Sequence, residues 1–254
     1  MITGAKETQL MEAANLLMDA RRTGSPLTDL PADLQPATLD EAYFVQDILA
    51  NVYGEIGGWK IGAPTPEATP LFGPMPLAWI SAGDPTLGGV RYKGLEAEIA
   101  FHLAQDIPPQ EEAYTMEAVV QAIGSCHPAI EVIDSGLLDP TKAARMSMIA
   151  DLQMHGGFVY GPACAGWKDI DFTKETVTLS VDGVVRVERT GSNTSGDLMR
   201  LLPWLATEGA KRTGGLKAGQ WITTGSWTGV TLGTDKSSVN VRFGTAGQVE
   251  LRFA

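Results

Sequence analysis

The stretch Gly94-Leu95-Glu96-Ala97-Glu98-Ile99-Ala100-Phe101 constrains the chain more than any other. It reads as a strand, and alternate side chains of a strand leave on the same face. Leu95, Ala97, Ile99 and Phe101 therefore form an apolar face that must be covered. Glu96 and Glu98 share the other face, roughly 7 Å apart along the strand. A third acid, Glu131, sits alone in a second apolar run, Ala129-Ile130-Glu131-Val132-Ile133. Two arrangements satisfy this pattern. The acids can lie on a solvated outer face, the ordinary place for charge. Alternatively, strands can bring three carboxylates together as oxygen ligands for a hard divalent cation. An isolated buried carboxylate is costly without a cation or hydrogen bonds, which makes Glu131 the more telling of the three.

The pattern on either side of this strand differs. Residues Lys6 to Arg22 read as a helix, with Leu10, Ala13, Ala14, Leu17 and Ala20 at helical spacing. Thr38 and Glu41 make a capping box for a second helix whose apolar stripe is Phe44, Val45, Ile48, Leu49 and Val52. Gly58 to Ala63 reads as a short strand. A loop carrying Pro64, Pro66, Pro70, Pro74 and Pro76 follows. We place a boundary there, with a helical N-terminal domain over 1–70 and a β-rich catalytic domain over 71–254.

Beyond the loop, short glycine-broken strands dominate. They are expected at 78–80, 97–104, 129–134, 157–160, 176–181, 184–188, 220–224, 238–243 and 249–253. Asp182-Gly183 between two alternating runs predicts a type I′ hairpin. Helices are expected at 114–123, 140–149 and 197–212, the last kinked or late-starting because of Pro203. The fold class is α+β, rich in strand.

Charge narrows the function classes. The net charge is −11 with no basic cluster, which argues against a nucleic-acid partner. No apolar run reaches the ~20 residues of a membrane span, and no signal peptide is evident at the N-terminus. Cys126 and Cys164 lack metal-ligand spacing and read as buried thiols in a reducing, cytoplasmic setting. An acidic protein that handles an anionic substrate needs a local positive feature, and a metal ion supplies one.

Several short segments, in order, carry a resemblance: Gly58-Trp59-Lys60-Ile61-Gly62, Glu96-Ala97-Glu98-Ile99-Ala100-Phe101, Pro128 to Ser135, Ile149-Ala150-Asp151, Trp204-Leu205-Ala206 and Gly225-Ser226-Trp227-Thr228-Gly229. Together they resemble the fumarylacetoacetate hydrolase superfamily, in its 2-keto-4-pentenoate hydratase and 4-oxalocrotonate decarboxylase branch. The resemblance implies a helical N-terminal part followed by a mixed β-roll. It implies Mg²⁺ or Mn²⁺ held by Glu96, Glu98 and Glu131. It also implies a short 2-oxo or 2-hydroxy-dienoic acid as substrate, of the kind formed in aromatic-ring breakdown. A homo-oligomer is expected, or a complex with a related decarboxylase or hydratase.

The same resemblance assigns further residues. Lys60, otherwise readable as a surface lysine, becomes an active-site group that pairs with substrate carboxylate or moves a proton. Asp151, otherwise a helix-end or turn residue, joins the catalytic candidates. Ser226 and Thr228 belong to a loop expected to bind carboxylate, where the residues alone also allow a polar turn. Two departures stand out. Leu71 occupies a place where relatives carry an acid assigned to proton transfer, so it is expected to touch substrate without moving a proton. His155 stands where the family has a hydroxyl, and is either a packed histidine or a catalytic group. These changes leave hydratase and decarboxylase both open, with hydration of a dienoic acid preferred. An acylpyruvate hydrolase is less well supported, and a non-catalytic partner subunit is the contrasting class.

Overall fold

The computed structural model describes residues 2–254. Helix α1 (Ala5–Thr23) buries Leu10, Ala13, Ala14, Leu17 and Ala20, the expected stripe, and ends at Gly24 in the left-handed region. Helix α2 (Leu39–Tyr53) is capped by Thr38, whose hydroxyl accepts the Glu41 N–H. The Glu41 carboxylate returns to the Ala37 N–H at 2.7 Å. Its buried face is Ala42, Tyr43, Val45, Gln46, Leu49 and Ala50. This face is rotated from the expected stripe: Val52 is exposed and Gln46 points inward, its Nε2 donating to the Ile149 carbonyl at 2.9 Å.

The chain then enters β1 (Ile56–Gly62), β2 (Leu71–Pro76), β3 (Ile80–Ala82), β4 (Thr86–Leu87) and β5 (Gly94–Leu103). Helix α3 (Met116–Ala122) leads straight into the long β6 (Ile123–Ile133). Next come α4 (Arg145–Ala150), β7 (His155–Tyr160) and the hairpin β8 (Thr176–Val181) and β9 (Val184–Thr190). Asp182 and Gly183 between them both have positive φ, as a type I′ turn requires. Helix α5 (Leu201–Trp204) passes through a π-helical turn at Leu205–Gly209 into α6 (Ala210–Thr213). Pro203 lies in the first turn of α5, where its missing N–H removes no bond. The chain closes with β10 (Trp221–Thr223), β11 (Thr231–Leu232), β12 (Ser238–Phe243) and β13 (Gly247–Phe253).

The strands form two sheets. One has the order β2-β1-β10-β5-β6-β7-β3, with β11 beside the start of β5; the other is β4-β13-β12-β8-β9. The second packs on β6 and β7 of the first. Leu95, Ala97, Ile99 and Phe101 are all fully buried in the main core, along with Leu10, Leu17, Val45 and Leu49 of α1 and α2. A smaller cluster of Met75, Ala100, Ala129, Phe158 and Trp221 fills the other face of the first sheet. The expected α+β architecture, with helices followed by mixed sheets, is the one observed. Residue 70 falls between β1 and β2, which pair antiparallel, and the main core includes residues from both sides of it.

Four sequence readings are corrected. Residues 71–76 form strand β2 where a proline-rich loop was expected. β2 is at the sheet edge, where Pro74 and Pro76 remove no needed ladder bond. Strand β6 begins at Ile123, six residues before the expected start, and α3 is correspondingly shorter. The helix expected over 140–149 is confined to 145–150. Cys126 is buried as expected, whereas Cys164 is half-buried.

Candidate metal centre

Strand register places the acids. Glu96 of β5 lies directly opposite Glu131 of β6, and Glu98 lies opposite Ala129. In the same sheet, β10 sets Thr223 opposite Ala100, and β1 sets Lys60 opposite Thr223. Paired residues share a face, so Lys60, Thr223, Glu96, Glu98 and Glu131 project to one side. That side is not the solvated outer face that spacing alone allowed. Glu98 and Glu131 are each 1% exposed and Glu96 is half-buried. One oxygen from each of the three carboxylates lies within 4.8 Å of the other two.

Each acid is held differently. The Glu98 carboxylate accepts from the Thr223 hydroxyl and from the Gly225 N–H at 3.0 Å, both through Oε2. Glu131 Oε1 accepts from Lys60 Nζ at 2.5 Å and faces His155 Nδ1 at 2.9 Å. The nearby Ser226 hydroxyl favours the charged form of Glu96. One lysine beside three acids leaves negative charge uncompensated. Burial, with Glu131 adding repulsion, pushes the Glu96 carboxyl up to about 7. Burial and the two neighbouring acids hold Glu98 well above the ordinary carboxylate range. Burial acts to raise Glu131 too, but Lys60 and His155 overcome it and hold that acid at about 2. Three hard oxygen donors, two of them raised by burial and by repulsion from neighbouring acids, fit a divalent cation of the Mg²⁺ type.

These shifts predict a pH dependence for the metal-free protein. Between about 4.5 and 7 the folded state binds a proton at Glu96 that the unfolded chain does not. Stability therefore rises as pH falls from about 8.5 towards 6.5. Below 6.5 the rise levels off, because burial keeps His155 and His127 neutral while the unfolded chain protonates them, which offsets the protons that Glu96 and Glu98 hold in the fold. Thermal melts of chelated protein across this range test the expectation. Saturating Mg²⁺ should flatten the rise, since a cation replaces the proton.

The remaining site residues divide. Lys60 is 6% exposed and also donates to the Gln153 carbonyl at 2.9 Å, so it is an interior residue bound to a candidate ligand. His155 is fully buried, against the ring of Trp79 with centroids 5.9 Å apart. Burial lowers its pKa, and with Nδ1–H donating to Glu131 its Nε2 has no partner among the described residues. Leu71 lies opposite Gly62 in β2, on the same face as Lys60, and is half-buried. The Ser226 hydroxyl accepts the Gly229 N–H at 2.9 Å.

Two expected site residues are placed elsewhere. The Thr228 hydroxyl accepts the Ala97 N–H at 3.1 Å and donates to the Gly229 carbonyl at 3.0 Å, so it fastens the loop to β5 and is not free for substrate. Asp151, expected to be catalytic, is fully buried in a structural network. It accepts from Arg21 Nε at 2.5 Å, from the Ser135 hydroxyl and from the Gly136 N–H at 2.8 Å.

Sequence reasoning did not single out Arg21, Thr223 or Gln153. Arg21 sits at the last turn of α1. Its guanidinium also donates to the carbonyls of Asp151 (3.0 Å), His155 (3.0 Å) and Asp134 (3.1 Å). It therefore clamps both ends of the segment 151–155. Within that segment Leu152, Gln153 and Met154 have φ of 52°, 51° and 66°. Non-glycine residues in this region cost on the order of 1 kcal/mol or more each, and persist where surrounding contacts over-determine them. The strained turn presents the Gln153 carbonyl to Lys60. No local sequence signal marks Arg21, whose partners lie more than a hundred positions away.

The fold is shared with solved proteins of the fumarylacetoacetate hydrolase type. The solved 4-oxalocrotonate decarboxylase from Pseudomonas putida G7, complexed with magnesium and adipate, superimposes with a TM-score of 0.84 over 100% of both chains at 22% identity. In sequence, the chain is 28% identical to a 2-keto-4-pentenoate hydratase of Burkholderia vietnamiensis (strain G4 / LMG 22486), over 87% of this chain and 88% of that one. It is 27% identical to a 4-oxalocrotonate decarboxylase of Pseudomonas putida, over 96% and 97% of the two chains. No family model matches the chain. The resemblance to the hydratase and decarboxylase branch read from the short motifs is thus found again over most of the chain.

Proposed function

We propose that this chain is a divalent-metal-dependent lyase acting on short 2-hydroxy-dienoic or 2-oxo acids. The preferred reaction is hydration of 2-hydroxypenta-2,4-dienoate to a 4-hydroxy-2-oxo acid, a step of aromatic-ring breakdown. The observation that carries the reading is the convergence of Glu96, Glu98 and Glu131 within 4.8 Å, with Lys60 bonded to one of them. These three residues would hold Mg²⁺ or Mn²⁺, which when bound supplies Lewis-acid stabilisation of negative charge on the substrate's C2 oxygen.

The protein's own groups have defined tasks in this reading. Thr223 and the Gly225 N–H fix the orientation of Glu98. An ammonium carries three N–H donors, and Lys60 spends two on Glu131 and the Gln153 carbonyl. Its third is available for a substrate carboxylate or for proton delivery. Leu71 offers an apolar wall and no proton. His155, fully buried, fixes Glu131 through its Nδ1 at 2.9 Å. The assembly in this reading is a homo-oligomer or a complex with a related lyase.

A second reading, 4-oxalocrotonate decarboxylase, is supported by the structural likeness over the whole chain. The two separate by product. We expect Mg²⁺-loaded protein to consume 2-hydroxypenta-2,4-dienoate without gas release, with a kcat/KM at least about tenfold above that for 2-oxo-3-hexenedioate. Release of CO₂ from the second compound, with the first untouched, would assign the decarboxylase. Tight Mg²⁺ binding with no turnover of either would assign a non-catalytic subunit.

A further inference from the structure

Two glutamines near Lys60 each carry a buried side-chain oxygen with no partner among the described residues. Gln46 is fully buried on α2, and its Nε2 is committed to the Ile149 carbonyl, yet its Oε1 has no partner among the described residues. Gln153, at the centre of the strained turn, likewise has a buried Oε1 without a partner. The two come together at Gly73, which lies opposite Lys60 in the β1–β2 ladder. A Cβ added to Gly73 would stand 3.2 Å from Gln46 Nε2 and 3.6 Å from Gln153 Oε1. A buried polar group left unpaired is destabilising, and a left-handed run of three residues is destabilising as well. Both meet where the face that carries the carboxylates continues past the lysine head group.

We infer that Gln46 and Gln153 form a polar subsite for the end of the substrate remote from its carboxylate, and that they bind there a hydroxyl group or the water that becomes one. This rests on the lyase reading above and deepens it. The location follows from Lys60, whose ammonium touches Glu131 on one side and the Gln153 backbone on the other. A five-carbon acid bound by its carboxyl end at a cation held by Glu96, Glu98 and Glu131 would extend its far carbons past that ammonium. The chemistry follows from the free groups. Gln46 offers an acceptor of fixed orientation. Gln153 offers an amide of which either end suits a hydroxyl, since a hydroxyl both donates and accepts. An apolar or carboxylate-bearing tail would leave the Gln46 oxygen unpaired or repelled. The subsite therefore selects a hydroxylated, uncharged tail.

Binding measured by calorimetry with Mg²⁺ present tests this on three ligands: pyruvate, 2-oxopentanoate and 4-hydroxy-2-oxopentanoate. The unaltered protein is expected to favour the hydroxylated acid over 2-oxopentanoate by about tenfold. Gln153→Leu should erase that preference while leaving pyruvate affinity within about twofold, and Gln46→Met should act in the same direction. Equal binding of the two five-carbon acids by the unaltered protein would overturn the inference. So would a Gln153→Leu variant that loses pyruvate and 4-hydroxy-2-oxopentanoate alike, since that outcome assigns the turn a structural role alone. If Mg²⁺ binds and none of the three acids does, the lyase reading fails and the subsite with it.

Discussion

Replacing Glu98 by Gln is expected to weaken Mg²⁺ binding by more than about a hundredfold and to remove turnover to the same extent. Loss of an outer partner of a metal site typically costs 10–100-fold, and Glu98 is a candidate ligand itself. The substitution keeps shape and removes one charge. Thr223 and the Gly225 N–H both hold the Glu98 Oε2, which fixes the carboxylate beside the other two acids. Stability should move the other way. In the metal-free protein Glu98 is buried against two like charges, so the neutral amide relieves repulsion. At pH 8 the metal-free variant should melt above the metal-free parent, and Mg²⁺ should no longer raise its Tm. Calorimetry and melts on the same preparations check both. Unchanged Mg²⁺ affinity would remove Glu98 from the metal centre.

Replacing Arg21 by Met is expected to cost about 3–5 kcal/mol of stability, the range found when one partner of a buried ion pair is removed. For a chain of this length that lowers Tm by roughly 6–20 °C. The physical reason is twofold. Asp151 would remain fully buried with only Ser135 and Gly136 to satisfy it. The turn at 152–154 would also lose the guanidinium that joins Asp151 to the His155 carbonyl. Because that turn holds the Gln153 carbonyl against Lys60, activity should fall in the folded fraction as well. Asp151→Asn should be milder, since the amide oxygen can still accept from Arg21. A chemical melt of each variant, with kcat measured below its transition, separates loss of fold from loss of site. A neutral effect of Arg21→Met would show that the clamp is dispensable.

These two expectations differ in how far the sequence announced them. The E-x-E spacing and the isolated acid in an apolar run were enough to nominate Glu96, Glu98 and Glu131. Short ordered motifs attached a fold and a chemistry to them. Lys60 was reachable through its motif. Asp151 was nominated for catalysis from the same kind of evidence, and the structure assigns it to a buried ion pair. A motif records that a residue is needed at a position, and need arises from holding a turn as well as from touching a substrate. Thr228 makes the same point: its hydroxyl serves the backbone of β5.

Within single elements, the sequence by itself determined much. Period-two alternation set the apolar face of β5, period 3.6 set the buried stripe of α1, and Asp182-Gly183 set a hairpin. These follow from local backbone geometry, which repeats every two or four residues. What only the tertiary structure decided is where the faces meet. Whether the carboxylate face looks at water or at Lys60 depends on the order β1-β10-β5-β6, in which β1 and β10 pair residues 163 positions apart. The same holds for Arg21 reaching Asp151 across 130 residues, and for Gln46 meeting Gln153 at Gly73. Register and crossover are collective properties of the packed sheet, set by the burial of many side chains at once, and no window of the chain contains them.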